Sequence, residues 1–329
     1  MTGTRIGYSL GPLLSASDLL KCAMMADSAN ADSIWVPESW GRESFGTLGA
    51  LSQVTKAVKL GTSIMSIYSR TPATVAMGAV TIDSMSSGRM VIGLGASTAE
   101  IVEGWHGISF EKPLERMREY ILCLRKMLSG EKVNHDGTFF KIRNFRILEK
   151  PVRPTIPIYV AAINTRMVSL ASELADGVLF YLRPVHELAS AVEKVRSLRK
   201  NDDFEIALSI ICAASDTRPD EARRRARKTL AFYVGAGRYY SKFLAETGYR
   251  AEVEAIQNAF TVSGSDAAAK HVPDKMLDSL AVSGSFEQCR EQLNCLAQTG
   301  ITRAILQVNP IDDAESSFRE LIDCFGWRA

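Results

Sequence analysis

Clustered metal ligands, paired cysteines and long apolar runs are missing from this sequence of 329 residues. Metal ions are bound by groups of His, Cys, Asp or Glu, but the four histidines here are dispersed, so we predict no metal site. None of the six cysteines forms a Cys-x-x-Cys pair, which is typical of buried free thiols in a reducing compartment. The N-terminus also lacks the basic-then-apolar order of a signal peptide. These absences predict a cytoplasmic protein.

An excess of charge of one sign is missing as well. The chain has 39 Lys and Arg residues against 37 Asp and Glu residues, whereas nucleic acids and anionic membranes bind strongly basic patches. No apolar run approaches the roughly 20 residues that cross a bilayer. No Ser, His and Asp arrangement for nucleophilic catalysis is evident. We therefore predict a small-molecule substrate, no nucleic acid and no membrane as partners, and a site whose redox chemistry comes from a bound cofactor.

The stretch 58–97 is the most informative part of what is present. Val58–Ser63 and Met90–Leu94 are short apolar runs typical of buried strands. Between them, Thr71-Pro72 predicts the start of a helix, because it combines a hydroxyl cap with a proline at the first helical position. Apolar residues then recur at helical spacing until Gly88, a typical helix end. This order of strand, helix and strand predicts parallel pairing through a crossover helix.

The same alternation continues along the chain. The eight predicted strands are Arg5–Leu10, Ser33–Val36, Val58–Ser63, Met90–Leu94, Pro157–Ala161, Gly177–Tyr181, Ile206–Ala213 and Ala304–Val308. The pattern predicts a loop over Gly95–Ser109, an external hairpin over Lys132–Arg146 and only helices over Arg218–Lys275. We therefore predict an α/β protein, a single (β/α)8 TIM barrel over residues 1–329 with a helical insertion (218–275) after the seventh strand. A doubly wound sheet is the alternative.

In such a barrel the functional site lies at the carboxyl ends of the strands. Here those ends are Tyr8, Ser9, Glu38–Trp40, Thr62–Met65, Gly95–Thr98, Ala162–Arg166, Tyr181–Arg183, Ala213–Ser215 and Gln307–Asn309. Gly93 and Gly95 resemble part of a dinucleotide motif, but its third glycine is missing, so a tight strand end is the better interpretation. Asn164 follows a predicted buried strand, where a helix N-terminus either binds a phosphate or carries an ordinary N-cap. Both interpretations of Asn164 stay open at this point.

Five segments of the sequence together carry a family resemblance, namely Ala31–Glu38, Leu60–Pro72, Ser87–Gly95, Glu103–Leu114 and Ala175–Val178. Together they resemble the luciferase-like superfamily. Within it they resemble the deazaflavin-dependent oxidoreductases, which use coenzyme F420 and include methylenetetrahydromethanopterin reductase. Two further stretches, Ala231–Gly235 and Ala281–Gly300, are similar to that reductase. The resemblance spans nearly the whole chain, so the combination is specific although each motif alone is loose.

The resemblance implies a barrel with coenzyme F420 across its C-terminal mouth, and FMN is the alternative cofactor. It implies a cis peptide bond between Ser63 and Ile64 that forms a bulge behind the deazaflavin ring. It also implies that the cofactor's phosphate lies at Ala162–Arg166 and that Glu38 occupies the position of the family's acidic residue. The cofactor-binding residues predicted in this way are Glu38, Ser39, Thr62, Ser63, Ile64, Ser97, Thr98, Ala162, Asn164, Thr165 and Arg166.

Three positions depart from the pattern that the resemblance implies. Relatives often have a histidine directly after the acid, where this chain has Ser39. The tetrahydromethanopterin reductase has a glutamate as proton donor where Ser9 stands, and a Gly-Asp pair where Ala96-Ser97-Thr98 stand. Glu100, Glu103 and His106, in the segment after strand four, are alternative proton donors. The candidate catalytic residues are therefore Glu38, Ser9, Glu103 and His106.

Three functions fit these residues. The one we predict is an F420-dependent oxidoreductase that transfers hydride between the deazaflavin and a C=N⁺ or C=C acceptor, with a 5,10-methylene-tetrahydropterin as the leading acceptor. The alternatives are an FMN-dependent luciferase-like monooxygenase and a non-catalytic flavin-binding barrel, because one fold hosts many functions. The resemblance also implies a homodimer or a higher homo-oligomer.

Overall fold

The structure is a computed structural model that describes residues 3–39, 41–149, 152–199 and 203–326. Its strands are β1 (Arg5–Ser9), β2 (Ser33–Val36), β3 (Lys59–Thr62), β4 (Met65–Ser66), β5 (Met90–Gly95), β6 (Val133–Asp136), β7 (Lys141–Phe145), β8 (Ile158–Ala161), β9 (Gly177–Tyr181), β10 (Glu205–Ala214), β11 (Ala281–Gly284) and β12 (Arg303–Val308). Its helices are α1 (Ala16–Ser28), α2 (Ser44–Val54), α3 (Pro72–Met85), α4 (Ala99–His106), α5 (Pro113–Leu128), α6 (Thr165–Leu174), α7 (Val185–Leu198), α8 (Pro219–Ala236), α9 (Arg238–Leu244), α10 (Arg250–Ala269), α11 (Asp274–Leu280), α12 (Phe286–Gln298) and α13 (Ala314–Phe325). A π-helical turn, Ala245–Tyr249, joins α9 to α10.

These elements form two compact units. Unit 1 comprises the described residues of Met1–Asp32, Phe180–Lys194 and Ile206–Ala329, and unit 2 comprises those of Ser33–Leu179 and Val195–Glu205. In chain order, parallel strands alternate with helices, and α8 to α11 are inserted after β10. The predicted fold class, a (β/α)8 barrel with a helical insertion, is therefore confirmed. The single-domain organisation of residues 1–329 stays a prediction.

Unit 2 contains β2, β3, β5, β8 and the first part of β9 in one parallel sheet. Leu60 of β3 lies opposite Met90 of β5, and Ile92 of β5 lies opposite Ile158 of β8. All of these side chains are buried, as expected for parallel strands that are covered on both faces. Helices α2, α3 and α6 pack on strands of this sheet, so the core of unit 2 lies beneath them.

Unit 1 contains β1, β10, β11 and β12, which are also parallel and lie in the order β11, β10, β12, β1. Ala304 of β12 lies opposite both Ile6 of β1 and Leu208 of β10, and all three are buried. Arg303 is fully buried, and its Nε donates to Asp32 Oδ2 at 2.7 Å. A buried guanidinium needs such a partner, because an unpaired charge in the interior is strongly destabilising. The helical insertion adds an apolar cluster of its own, which includes Leu230, Ile256 and Leu277.

The predicted hairpin is confirmed by the antiparallel pair β6–β7, but other local predictions were wrong. The segment Gly95–Ser109, predicted to be a loop, contains α4. Val102 is the buried residue of that helix, so the sequence offered no apolar stripe. Strands β4 and β11 were not predicted, and β4 has only two residues, too few to show a pattern. Cys295 is exposed on α12, whereas the other five cysteines are buried free thiols as predicted.

Candidate functional site

Glu38, the acid that follows β2, forms an ion pair with Arg70 from the loop before α3. Arg70 Nε and Nη2 donate to the two carboxylate oxygens of Glu38, both at 3.0 Å, and the Ser44 backbone N–H donates to Oε2 at 2.9 Å. Arg70 also pairs with Glu43 and lies over the Phe45 ring, 5.2 Å from its centroid. Burial disfavours the charged form of Arg70, but the hydrogen bonds and charges of the two carboxylates outweigh it and raise its pKa. The Glu38 carboxylate therefore fixes Arg70 and the start of α2 in place.

A cleft of about 780 Å³ opens beside this ion pair. Its lining includes three of the predicted site residues, together with two arginines and a tryptophan: Glu38, Ser39, His106, Arg42, Arg70 and Trp105. The structure thus brings the loop after β2 and the end of α4 together. Trp40, which was also predicted at this strand end, lies outside the described residues. Glu103, on the same helix as His106, lies outside this lining, and its carboxylate accepts a hydrogen bond from the Phe110 backbone N–H at 3.0 Å.

The end of β3 lies against β5 at very short range. The Thr62 hydroxyl donates to the Gly93 carbonyl and accepts from the Gly93 N–H, both at 2.8 Å. A Cβ at Gly93 would lie 1.9 Å from the Thr62 carbonyl oxygen, and a Cβ at Gly95 would lie 2.6 Å from the Ile64 side chain. The two glycines therefore permit a close backbone approach, which confirms the interpretation as a tight strand end. The Ser63–Ile64 peptide bond is cis, and Ser63 Oγ is buried with no hydrogen-bond partner among the described residues.

The N-terminus of α6 combines a local cap with exposed polar groups. Asn164 Oδ1 accepts a hydrogen bond from the Met167 N–H at 2.9 Å, which is the ordinary N-cap that the sequence allowed. Thr165 and Arg166 follow in the first turn and are exposed, whereas Ala162 is buried. The N-cap therefore accounts for the Asn164 side chain, and a phosphate at this terminus stays a prediction.

The connection between β5 and α4 has no side-chain capping hydrogen bond, in contrast to the start of α6. Thr98 is the N-cap residue of α4, but its side chain makes no capping hydrogen bond. Ser97 has a φ of 63°, a left-handed conformation that is uncommon for residues other than glycine. Both residues are half-buried. Their predicted role in cofactor binding stays a prediction.

In unit 1, the predicted residue Ser9 ends β1 and is 4% exposed. Its register partner on β12 is Gln307. The Tyr181 hydroxyl, at the end of β9, donates to Gln307 Oε1 at 2.6 Å, and Gln307 Nε2 donates to the Tyr233 hydroxyl at 3.4 Å. Tyr233 belongs to α8, in the helical insertion. Two strand ends and the insertion thus form a neutral hydrogen-bonded chain, Tyr181–Gln307–Tyr233, which we call the phenol–amide chain.

Aromatic packing encloses the phenol–amide chain. The rings of Tyr181, Tyr233 and Tyr240 contact one another edge to face, with centroids 5.2, 5.5 and 6.4 Å apart. Burial raises the pKa of all three phenols, because it disfavours the charged phenolate. The three hydroxyl groups therefore stay protonated at neutral pH, the form in which each can donate a hydrogen bond.

Sequence reasoning did not select Arg70, Tyr233 or Tyr240. Arg70 lies inside one of the segments that carry the family resemblance, and a basic residue after β3 is a natural partner for an acid after β2. Tyr233 and Tyr240 lie in the insertion, far along the chain from Tyr181 and Gln307. No local pattern connects them, because their proximity depends on how α8 and α9 pack.

Residues 1–303 match the model of the luciferase-like monooxygenase family. This chain belongs to the luciferase-like family. The resemblance that the sequence segments predicted is therefore confirmed. A curated relative of this luciferase-like chain is the 5,10-methylenetetrahydromethanopterin reductase of Archaeoglobus fulgidus, which is 32% identical over 309 residues that cover 92% of each chain.

Solved structures of the family superpose on the luciferase-like chain over almost its full length. The coenzyme F420-dependent tetrahydromethanopterin reductase of Methanopyrus kandleri matches with a TM-score of 0.87 and 22% identity, covering 97% of both chains. An F420-dependent secondary alcohol dehydrogenase in complex with an F420–acetone adduct matches with a TM-score of 0.78 and 20% identity, covering 98% and 99%. At these identities the matches show the fold alone. The predicted enzyme class, an oxidoreductase, agrees with the curated reductase and is confirmed.

The side chains described at the strand ends of this luciferase-like barrel carry hydroxyl, amide, carboxylate and guanidinium groups. Among the described residues, no group of three or more His, Cys, Asp or Glu side chains is placed to hold a metal ion. Within the same ranges, no helix combines the length and apolar character that a membrane span needs.

Proposed function

We propose that this chain is a coenzyme F420-dependent oxidoreductase that transfers hydride between the deazaflavin ring and a small organic acceptor. The observation that carries the proposal is the full-length similarity to the methylenetetrahydromethanopterin reductase of A. fulgidus. The name of that relative supports a 5,10-methylene-tetrahydropterin as the first acceptor to try. Other small acceptors with a C=N⁺ or C=C bond belong to the same proposal, and so does a carbonyl compound, because a solved structure of the same fold carries an acetone adduct of F420.

The polar groups of unit 2 fit a flat ring with an anionic tail. Ser63 Oγ is buried without a partner among the described residues, so a polar ring atom beside it would supply the missing hydrogen bond. Arg166 offers a guanidinium, and the start of α6 offers the backbone N–H groups of a helix N-terminus. Together they favour the binding of a phosphate. We therefore assign the ring to Ser63 and Ile64, and the phosphate to Ala162–Arg166. Thr62 supports the ring from behind, since its hydroxyl is already bonded to Gly93.

The bound deazaflavin would supply the hydride, and the residues of the chain would bind and orient the reactants. The cleft beside Glu38 and Arg70 is bordered by Ser39 and His106. The ion pair holds this border rigid, because one bidentate contact fixes both side chains. Rigid borders keep reacting groups in a productive geometry, which is a large part of the rate acceleration by enzymes.

Cofactor binding is the direct test of the proposal. The purified protein should quench the fluorescence of added F420, and the absorbance of reduced F420 should change when 5,10-methylene-tetrahydromethanopterin is also present. Replacement of Arg166 by Met should weaken F420 binding by about tenfold, the size of one charge-assisted hydrogen bond. Arg196→Met on α7, which removes an exposed cation of unit 2 that does not belong to the first turn of α6, is the matched control. Absence of any F420 binding by the unmodified protein would refute the proposal.

An FMN-dependent monooxygenase is the second candidate function, because the family model that matches residues 1–303 is described by that activity. Such an enzyme would bind FMN and consume oxygen when a flavin reductase is supplied. Competition between FMN and F420 for the protein distinguishes the two functions. Tight FMN binding with oxygen uptake, and no hydride transfer from F420, would favour the monooxygenase. Bound F420 without turnover of any acceptor would instead favour the non-catalytic barrel.

The quaternary structure and location belong to the same proposal. We propose a homodimer, and exposed apolar side chains on α2 and α3 support it, namely Val54, Met77 and Met85. Apolar side chains of this kind are enriched where subunits meet. We also propose a cytoplasmic location, because a reductive enzyme would find the reduced cofactor there.

A further inference from the structure

We propose that a cleft in the helical insertion of unit 1 binds the phosphate group of a small organic phosphate ester, and that Arg225 and Lys270 hold that group. The cleft has a volume of about 710 Å³ and lies among α8, the end of α10 and the start of α11. We call it the insertion cleft. The inference goes beyond the proposed function and does not depend on it, because it uses no residue assigned to the cofactor.

Cationic side chains outnumber carboxylates among the described residues that line the insertion cleft. The five cations are Arg224, Arg225, Arg227, Lys228 and Lys270. The three carboxylates are Glu221, Asp266 and Asp274. The whole chain is nearly balanced, with 39 Lys and Arg residues against 37 Asp and Glu residues, so this excess is local. A cleft lined by charge of one sign attracts ions of the opposite sign, so the insertion cleft favours an anion.

Two of the three carboxylates are paired with cations of α8. Asp274 Oδ1 accepts a hydrogen bond from Arg223 Nη2 at 2.7 Å, and it also pairs with Arg227. Asp266 pairs with Lys228 Nζ at 2.8 Å. These ion pairs connect α8 to the end of α10 and to the start of α11. They therefore join the walls of the cleft and neutralise part of its charge.

The third carboxylate is paired as well, which leaves two cations of the lining without a partner. Glu221 pairs with Arg218 at 3.2 Å and with Arg224 at 3.4 Å. Arg225 and Lys270 are the cations of the lining that form no ion pair within the described part of the chain. Arg225 comes from α8, and Lys270 directly follows α10, so a ligand between these two helices would contact both.

Arg225 is the more informative of the two cations. Its Nε is buried and has no hydrogen-bond partner among the described residues, whereas buried polar atoms of native proteins nearly always have one. Burial lowers the pKa of Arg225, because it disfavours the charged form, and the charge of Asp266 opposes this only in part. Arginine nevertheless stays charged at neutral pH. An anion in the cleft would supply both the missing acceptor and the missing opposite charge.

The charge and the size of the cleft favour a phosphate ester over other anions. A guanidinium pairs with phosphate oxygens in a bidentate way, and an ammonium adds a compact charge. Two unpaired cations match a phosphate monoester, whose charge at neutral pH is about −1.5 to −2, better than they match a single carboxylate. The volume lies in the range of small-molecule sites, and Val272, Pro273 and Ile311 offer apolar surface to an organic group. The carboxylates of the lining would repel a longer polyanion such as a nucleic acid.

Binding of phenyl phosphate to the cofactor-free, full-length protein tests the inference. This probe combines a dianionic phosphate with an apolar ring. Calorimetry is done on the Arg166→Met variant, in which the phosphate position assigned to the cofactor is weakened. We expect a dissociation constant of about 1 mM or below, the affinity of a few charge-assisted hydrogen bonds. Inorganic phosphate, which lacks the ring, and benzoate, which lacks the second charge, should each bind several-fold more weakly.

Substitutions of the two unpaired cations should weaken this binding to different extents. Adding Arg225→Met should weaken it about tenfold, the loss of one charge-assisted hydrogen bond. Lys270→Met should weaken it about threefold, because an exposed charge contributes less, and it keeps the inference testable if Arg225→Met does not fold. Arg250→Met removes an exposed arginine of α10 that does not line the cleft, so this matched control should leave the binding unchanged.

Side-chain ¹⁵N NMR of arginine-labelled protein locates the ligand directly. The Nε–H signal that disappears in Arg225→Met belongs to Arg225. In the unmodified protein this signal should shift as phenyl phosphate is added, because its environment gains an anion. The shift should be the same in Arg166→Met, since Arg166 belongs to a different phosphate position.

The opposite results would overturn the inference. They are an absence of phenyl phosphate binding, an affinity that neither Arg225→Met nor Lys270→Met changes, or an Arg225 signal that does not shift. A loss of affinity that Arg250→Met shares in full would show only a general attraction to basic side chains and would overturn it too. So would tighter binding of a DNA oligonucleotide than of phenyl phosphate. None of these measurements uses F420, so a failure of the proposed function leaves the inference standing, and the reverse also holds.

Discussion

The strand ends of unit 2 and those of unit 1 are built from different groups. In unit 2 they are held by charge and by close backbone contact, through Glu38–Arg70 and through Thr62–Gly93. In unit 1 they are held by neutral groups, through Tyr181–Gln307–Tyr233. The charged residues of unit 2 are paired with groups of opposite charge or with backbone N–H groups, whereas the phenol–amide chain joins its members through neutral hydrogen bonds alone.

This difference shows that an acid at a strand end is not by itself evidence of catalysis. Glu119 of α5 is a second carboxylate with a structural role. It accepts hydrogen bonds from the Phe139 and Phe140 N–H groups and contacts His135. Carboxylates with several donors act as anchors of the loops that surround them. Substitutions at such anchors should show whether unit 2 depends on them as strongly as the structure indicates.

The largest effect is expected for Gly93→Ala. The added Cβ would lie 1.9 Å from the Thr62 carbonyl oxygen, and a backbone atom cannot move aside by a change of rotamer. We expect a loss of more than about 4 kcal/mol in the free energy of unfolding, which is exceptional for one substitution. Gly104→Ala on α4 is the control: its Cβ would meet nothing within 4 Å, and it should stabilise the helix by about 0.5–1 kcal/mol. Chemical denaturation measures both, and equal stabilities would contradict the close contact.

Arg70→Met should have the next largest effect. It leaves Glu38 without its bidentate partner in a site where both side chains are 17% exposed. We expect a loss of about 2–3 kcal/mol, between the values for exposed and fully buried ion pairs. Arg118→Met removes an equally bidentate pair with Glu173, but those side chains are 45% and 54% exposed, so about 0–1 kcal/mol is expected. Equal losses in the two variants would show that the Glu38 pair is not an anchor.

Glu119 should make the stability of the β6–β7 hairpin depend on pH. Burial disfavours its carboxylate, but the backbone N–H groups of Phe140 and Phe139 and the contact with His135 outweigh this and lower its pKa. A lowered pKa means that the carboxylate stabilises the fold above its ordinary pKa, and that this contribution disappears as the pH falls through the folded value. We expect Glu119→Gln to lose about 1–2 kcal/mol at pH 7, and this loss should shrink as the pH falls below the ordinary carboxyl pKa and through the lowered folded one. Glu115→Gln, one turn earlier on α5 and exposed, should show no such difference in thermal unfolding.

Thr229→Val tests unit 1 and should have the smallest effect on stability. It removes the buried hydrogen bond to Asn309 without changing the volume of the side chain, which costs about 1 kcal/mol. Thr229→Ser keeps the hydroxyl and should therefore lose less stability than Thr229→Val. Chemical denaturation measures both, and an unchanged free energy of unfolding in Thr229→Val would mean that this hydrogen bond does not hold α8 to β12.

Much of this architecture could be predicted because it is encoded locally. The helix at Thr71-Pro72 begins where its cap and proline require, and the helix after Asn164 begins with its own N-cap. Gly93 and Gly95 were interpreted correctly as a tight strand end, since glycine at a strand end indicates a close backbone approach. Helix α4 was missed for the opposite reason, because one buried residue gives no periodic signal. The roles predicted for Glu38, Ser39, Ser97 and Thr98 depend on the resemblance and stay predictions.

By itself, the sequence determined the order of strands and helices, the place of the insertion and the family. Helix caps, turn residues and hydrophobic periodicity are properties of neighbouring residues, so they can be recognised in the sequence. Only the tertiary structure decided which polar groups meet. Arg70 reaches Glu38, and Tyr233 reaches Gln307, across long intervals of the chain. Such contacts depend on strand register and on how one helix docks, and neither property is written in any short stretch of residues.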